Sequence, residues 1–81
     1  MKEEITTFLE GKNLSENSKT AYFYDLEQFV DVTHAKITET NLRIYQASIA
    51  DFKPSVQKRK LSAVNQFLHY LYKQRLISDF Y

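Results

Sequence analysis

Residues 55–72 read SVQKRKLSAVNQFLHYLY and directly follow Pro54, the one proline in a chain of 81 residues. Drawn as a helix, the stretch places Leu61, Val64, Leu68, Leu71 and Tyr72 at offsets 0, 3, 7, 10 and 11, on one face of a 3.6-residue repeat. The spacing predicts that this face is core. On the opposite side Ser55, Arg59, Ser62 and Gln66 line up as a polar stripe, flanked by Lys58 and Lys60. A polar stripe on a basic helix suits a partner.

The charge distribution narrows the kind of partner. Residues 1–52 hold five Lys or Arg against nine Asp or Glu, whereas residues 53–81 hold six against one, so the formal total of +1 hides an acidic and a basic part. Lys53, Lys58, Arg59 and Lys60 fall within eight residues free of acids, at the start of the helix, where unpaired N–H groups and the dipole also favour anions. A phosphate backbone fits such an end. A basic helix start that is merely solvated fits the same composition.

Eighty-one residues make one domain, of a size that hides only about 60% of its unfolded surface on folding. Six Phe and six Tyr supply the large areas that so small a core needs. The lack of cysteine excludes disulfides and thiolate metal sites and fits a reducing compartment. With no apolar run near 18 residues and no secretory h-region, the expectation is a cytoplasmic protein without membrane contact. One Gly, one Pro and no sustained alternation of apolar and polar residues point to an all-α fold.

Four helices are expected. The first covers 2–10 on Ile5, Phe8 and Leu9, with Gly11 as the residue of positive φ that ends it. Ser15 caps a second over 16–33, whose core face is Tyr22, Leu26, Phe29, Val30 and Thr33 and whose outward face carries Asn17, Thr20, Tyr24, Gln28 and Asp31. Residues 34–37 read as a connection. Thr38 or Thr40 caps a third, over about 40–52, with Leu42, Tyr45, Ile49 and Phe52 inward and Pro54 as its stop. Ser55 caps the fourth, over about 56–76. At the edge of the second helix, Asp25 is placed to hold a neighbouring helix by a charge-assisted hydrogen bond, or simply to be solvated. The ending ISDFY is apolar and stops without a polar tail, so more chain is expected beyond it.

Nothing in the sequence points to catalysis or to a cofactor. His34 and His69 are isolated, no metal-binding spacing occurs, and Gly11 alone cannot build a phosphate-cradling loop. Among aromatics off the predicted core faces, Phe67 is assigned to the interior of a central fourth helix, while Phe23, Tyr24 and Tyr70 leave room for a second packing surface.

Two blocks carry a family resemblance. LSENSKTAYFYDLEQF, from Leu14 to Phe29, and SVQKRKLSAVNQFLHYL, from Ser55 to Leu71, resemble the N-terminal core-binding domain of tyrosine recombinases of the phage integrase and Xer group. That family's pattern reads approximately LSxNTxxxYxxDLxxF and, after a gap, TxxRRLSALRxFYxFL. Leu14, Ser15, Asn17, Tyr22, Asp25, Leu26 and Phe29 match the first part, Arg59, Leu61, Ser62, Ala63 and Phe67 the second, and Phe8 and Leu9 the FL of the first helix. The resemblance implies a compact four-helix SAM-like orthogonal bundle on one face of duplex DNA, with a separate C-terminal domain on the other carrying the catalytic tyrosine and arginines. None of the six tyrosines here, Tyr81 included, is then the nucleophile, and the fragment is not itself an enzyme.

The family also implies that the second and fourth helices approach the major groove, which makes Lys58, Arg59 and Ser62 carried-over contacts. Where the family is often basic, this chain has Phe23 and Tyr24, Glu27 and Gln28, and Asn65, so affinity is expected to rest on the fourth helix. The candidate DNA contacts are Lys53, Ser55, Lys58, Arg59, Lys60, Ser62, Asn65 and Gln66, joined by Thr20 and Tyr24 on the second helix. Double-stranded DNA is the expected partner, with other recombinase subunits in a longer parent. The alternative is a helical protein-interaction domain whose basic cluster serves only solvation.

Overall fold

The computed structural model describes residues 1–77, which form four helices, α1 (Lys2–Glu10), α2 (Glu16–Thr33), α3 (Glu39–Ser48) and α4 (Pro54–Lys73). No strand occurs among the described residues, as the all-α expectation required. Tyr81 and the ending read as a cut lie outside them.

α2 packs against each of the other three helices, and α1 also touches α4. Asp25 of α2 bonds Arg59 and Lys60 near the start of α4, whereas Lys12, just ahead of α2, bonds Gln66 farther along it. The two long helices share a seam, with Asp25 of α2 set against the first turns of α4. Ile5, Phe8 and Leu9 of α1, Leu26 and Phe29 of α2, Tyr45 and Ile49 from α3 and its end, and Ala63, Val64, Phe67, Leu68 and Leu71 of α4 form one buried cluster. Aromatic rings knit it together: Phe29 meets Tyr45 edge-on at 5.1 Å, and Phe8 lies 5.4 Å from Phe67. Offset rings of this kind add about 0.5–1.5 kcal/mol beyond the area they bury.

The core arc of α4 is rotated from the expected one. Lys60, Ala63, Val64, Phe67, Leu68 and Leu71 are buried, while Leu61 and Tyr72 are exposed. The reason is Lys60, a residue assigned outward for its charge that occupies an inward position because acceptors await its ammonium there. Leu61 instead faces a groove between α3 and α4, with Leu42, Gln46 and Asn65 among its lining. Phe67 is fully buried, as expected.

The helix ends depart from expectation in an informative way. Ser15 and Thr38 cap α2 and α3, accepting from the N–H groups of Ser18 and Asn41. Ser55, however, lies inside α4: Lys53 is the N-cap, without a side-chain cap bond, and Pro54 starts the helix with φ suited to its first turn. α3 ends at Ser48, several residues before Pro54, and Phe52 is 41% exposed. The Gln57 amide folds the intervening link against α4 by donating to the carbonyls of Ala50 and Phe52.

Gly11 adopts an ordinary right-handed conformation, with φ −78°. Positive φ falls instead on His34, Ala35 and Arg75. At both His34 and Arg75 the chain makes the paired 6→1 and 5→2 bonds of a Schellman ending: Ala35 N–H to Val30 and His34 N–H to Asp31, then Leu76 N–H to Leu71 and Arg75 N–H to Tyr72.

Candidate nucleic-acid interface

The outward face of α4 carries the candidate site. Arg59, Ser62, Gln66, His69 and Lys73 recur at offsets 0, 3, 7, 10 and 14, so the stripe read from the first half of the helix continues along nearly all of it. α4 contains no acidic residue, and Lys58 and Lys53 stand exposed beside the start of the stripe.

Folding adds a cation that the sequence reading passed over. The connection between α1 and α2 brings Lys12 to the stripe, where its ammonium donates to Gln66 Oε1 at 2.9 Å and lies 5.0 Å from the centre of the Phe8 ring. Gln66 Nε2 in turn donates to Ser62 Oγ at 3.2 Å. Lys12, Gln66, His69 and Lys73 also line one groove, together with Phe8 and Tyr70. His69 and Lys73 were readable from their register on α4, but Lys12 is 54 positions from Gln66 and no local periodicity points to it.

At the other end of the stripe the arrangement is a buried ion cluster. Asp25 is almost wholly buried in α2, and two cations of α4 converge on it. Arg59 donates from Nε to Oδ2 at 3.0 Å and from Nη2 to Oδ1 at 3.2 Å; Lys60 Nζ donates to Oδ1 at 2.8 Å and to Gln28 Oε1 at 2.8 Å. Of the two roles left open for Asp25, holding a neighbouring helix and simple solvation, the first is the one observed. Gln28, expected to look outward, instead completes the shell of the Lys60 ammonium.

This cluster corrects the place of Lys60. Its side chain is 9% exposed, so it cannot stand beside the stripe as a phosphate contact. Burying the ammonium is tolerable because the carboxylate and the amide oxygen replace its water, and the aliphatic stem covers core surface. Arg59, by contrast, keeps 46% of its side chain in solvent while its Nε edge is held. Its Nη1 and the outer N–H of Nη2 face away from the carboxylate.

The remaining candidates separate by position. Ser55, Ser62 and Asn65 are exposed on α4, Asn65 toward the α3–α4 groove. Thr20 and Tyr24 line a different groove, with Leu9, Lys19 and Phe23, between α1 and α2; no described hydrogen bond ties them to the α4 stripe. The start of α4 offers anions less than expected. Pro54 has no N–H, and those of Val56 and Gln57 donate to the Lys53 carbonyl, which leaves that of Ser55.

No group of three His, Asp or Glu side chains among the described residues could hold a metal ion, and no described helix is long and apolar enough to cross a membrane.

The four-helix fold of the described residues agrees with the family comparison: the chain belongs to the phage integrase N-terminal SAM-like domain family, matched over residues 5–75. It is 70% identical over all 81 residues to a protein of Streptococcus sanguinis described as "Tyrosine recombinase XerD-like". Proteins of the same description from Streptococcus gordonii and Streptococcus suis are 56% and 51% identical over the same length. In each case the chain spans 33% of the relative. No solved structure matches.

Proposed function

We propose that this chain is the DNA-binding, non-catalytic domain of a site-specific tyrosine recombinase acting in the cytoplasm, and that it lays the outward face of α4 against duplex DNA. The observation that carries this reading is the acid-free stripe from Arg59 to Lys73, extended by Lys12 from outside the helix and bordered by Lys53 and Lys58. Lysines at the edges suit phosphates, while the amide, hydroxyl and guanidinium groups along the middle suit base edges. Bond making and breaking, and any contact with other recombinase subunits, belong on this reading to a further part of the parent protein.

Expected affinity for an unselected duplex is on the order of 10⁻⁴ to 10⁻⁶ M, falling steeply with salt. Titrating the chain with a duplex at two salt concentrations, with amide chemical shifts followed by NMR, tests the reading. Salt-dependent binding with shifts along residues 58–73 supports it; binding without salt dependence, or shifts that avoid α4, rejects it.

A protein-interaction domain is the second reading, and one observation favours it: Tyr24, which lines the α1–α2 groove, is 65% exposed. Shifts confined to Thr6, Leu9, Thr20 and Tyr24 on adding a protein partner, without response to DNA, would select it.

A further inference from the structure

A guanidinium has two hydrogen-bonding edges, a side edge made by Nε and one Nη and an end edge made by the two Nη groups. In this fold Asp25 takes the side edge of Arg59 with both oxygens. The carboxylate cannot turn away, because Lys60 Nζ grips Oδ1 from the buried side and is itself held by Gln28. The end edge is left without a described partner, on a side chain that is 46% exposed beside an acid that is 3% exposed. An arginine in water samples many rotamers and loses that freedom on binding. Arg59 has already lost it.

The charge balance points the same way. A lysine or free arginine attracts any phosphate, whereas the charge of Arg59 is opposed at contact distance by that of Asp25. Its advantage as a general anchor is reduced and its directional donors are kept. A ligand that gains most from such a group presents two acceptors in a plane at the spacing of the end edge, and in duplex DNA that is the O6 and N7 pair of guanine.

We infer that Asp25 is a specificity-determining positioning residue: it holds Arg59 so that the free end edge of the guanidinium reads a guanine, and it does so without touching DNA. This rests on the DNA-binding reading above and adds to it one base preference and the buried residue that sets it.

The test is selection of bound duplexes from a pool with a randomised central segment, comparing wild type with Asp25→Asn and Arg59→Ala. Wild type should favour guanine at one position by about ten-fold or more, and Arg59→Ala should abolish that preference. Asp25→Asn keeps the side-chain shape, removes the negative charge and leaves one acceptor in place of two. It should reduce the preference to below about three-fold while binding of unselected duplex stays equal or rises, since the domain gains a net positive charge. A purely architectural role for Asp25 would instead lower binding to every sequence in proportion and leave the preference intact, which would overturn the inference. Salt-dependent binding by wild type with no Arg59-dependent guanine preference would also overturn it and leave the DNA-binding reading standing. Absence of salt-dependent binding altogether would remove both.

Should Asp25→Asn fail to fold, the wild-type Arg59 Nε–H resonance decides. It should be protected from solvent exchange in the free chain and stay protected when the selected duplex is added; loss of protection on binding would mean that Arg59 leaves Asp25 to reach DNA, and the inference fails.

Discussion

The Lys60 ammonium lies 2.8 Å from Asp25 Oδ1, with the two side chains 9% and 3% exposed, so one of the three consecutive cations Lys58, Arg59 and Lys60 is a structural group. Removing the acid leaves that ammonium buried without its counter-charge. Asp25→Ala should cost about 3–5 kcal/mol, read by urea denaturation.

The same geometry separates two neighbouring lysines in DNA binding. Lys58→Ala and Lys12→Ala should each lower the slope of log affinity against log salt by about one. Lys60→Met should leave that slope as it is. Equal effects from Lys58 and Lys60 would mean that Lys60 reaches phosphate after all.

The rotated arc of α4 makes a paired prediction about two leucines. Leu68 is buried and Leu61 faces the α3–α4 groove, 38% exposed. Leu68→Ala should cost about 2–5 kcal/mol through lost burial and a residual cavity, and Leu61→Ala about 1 kcal/mol or less. Chemical denaturation of both variants measures the contrast.

Tyr45 gives the fold a weakness in alkali. Its hydroxyl is buried with no hydrogen-bond partner among the described residues, and burial, with the charge of Asp25 adding to it, pushes its pKa up to about 12 from 10.0. Because the folded value lies above the unfolded one, the contribution of the neutral phenol is complete below pH 10 and is lost as pH climbs toward 12. The loss is on the order of 2–3 kcal/mol. Tyr45→Phe should show a flatter stability profile across that window, measured as the difference between the two proteins, and should be no less stable at neutral pH because an unsatisfied buried hydroxyl is removed.

Helix ends supply a prediction of opposite sign. His34 and Arg75 hold left-handed conformations that cost an L-residue roughly 1–2 kcal/mol, so His34→Gly and Arg75→Gly should each raise stability by about 0.5–1 kcal/mol after the entropy of glycine is subtracted. Gly11 has no such need. A Cβ there would meet the Phe8 and Thr7 carbonyls at 3.6 and 3.8 Å, which is ordinary contact, and Gly11→Ala should stabilise by about 0.4–1 kcal/mol. Thermal denaturation of the three variants checks both signs.

These positions also mark how far the fold was legible in the sequence. Apolar periodicity located four helices, and hydroxyl caps at Ser15 and Thr38 placed two of their starts, because both signals are local. Gly11 misled because the preference of glycine for positive φ is a statistical tendency, while the conformation at each helix end follows from where the chain must go next. The inward turn of Lys60 was hidden for a deeper reason: its acceptors, Asp25 and Gln28, lie more than 30 residues away, and a lysine is an exposed residue until a partner is found for it. The stripe was legible where it obeyed helical register, at Arg59, Ser62 and Gln66. Lys12 was not, since only tertiary packing brings it there.

The convergence of Arg59, Lys60 and Gln28 on one buried carboxylate also constrains how this sequence can drift over generations. Losing Asp25 alone strands a charge, and an apolar replacement at Lys60 becomes harmless only in a background where α2 has already changed or changes with it. Positions 25, 28, 59 and 60 should therefore be inherited as a correlated set. A homologue with an apolar residue at position 25 is expected to carry an uncharged one at position 60, a covariation between helices that comparing a broad set of relatives would reveal or refute.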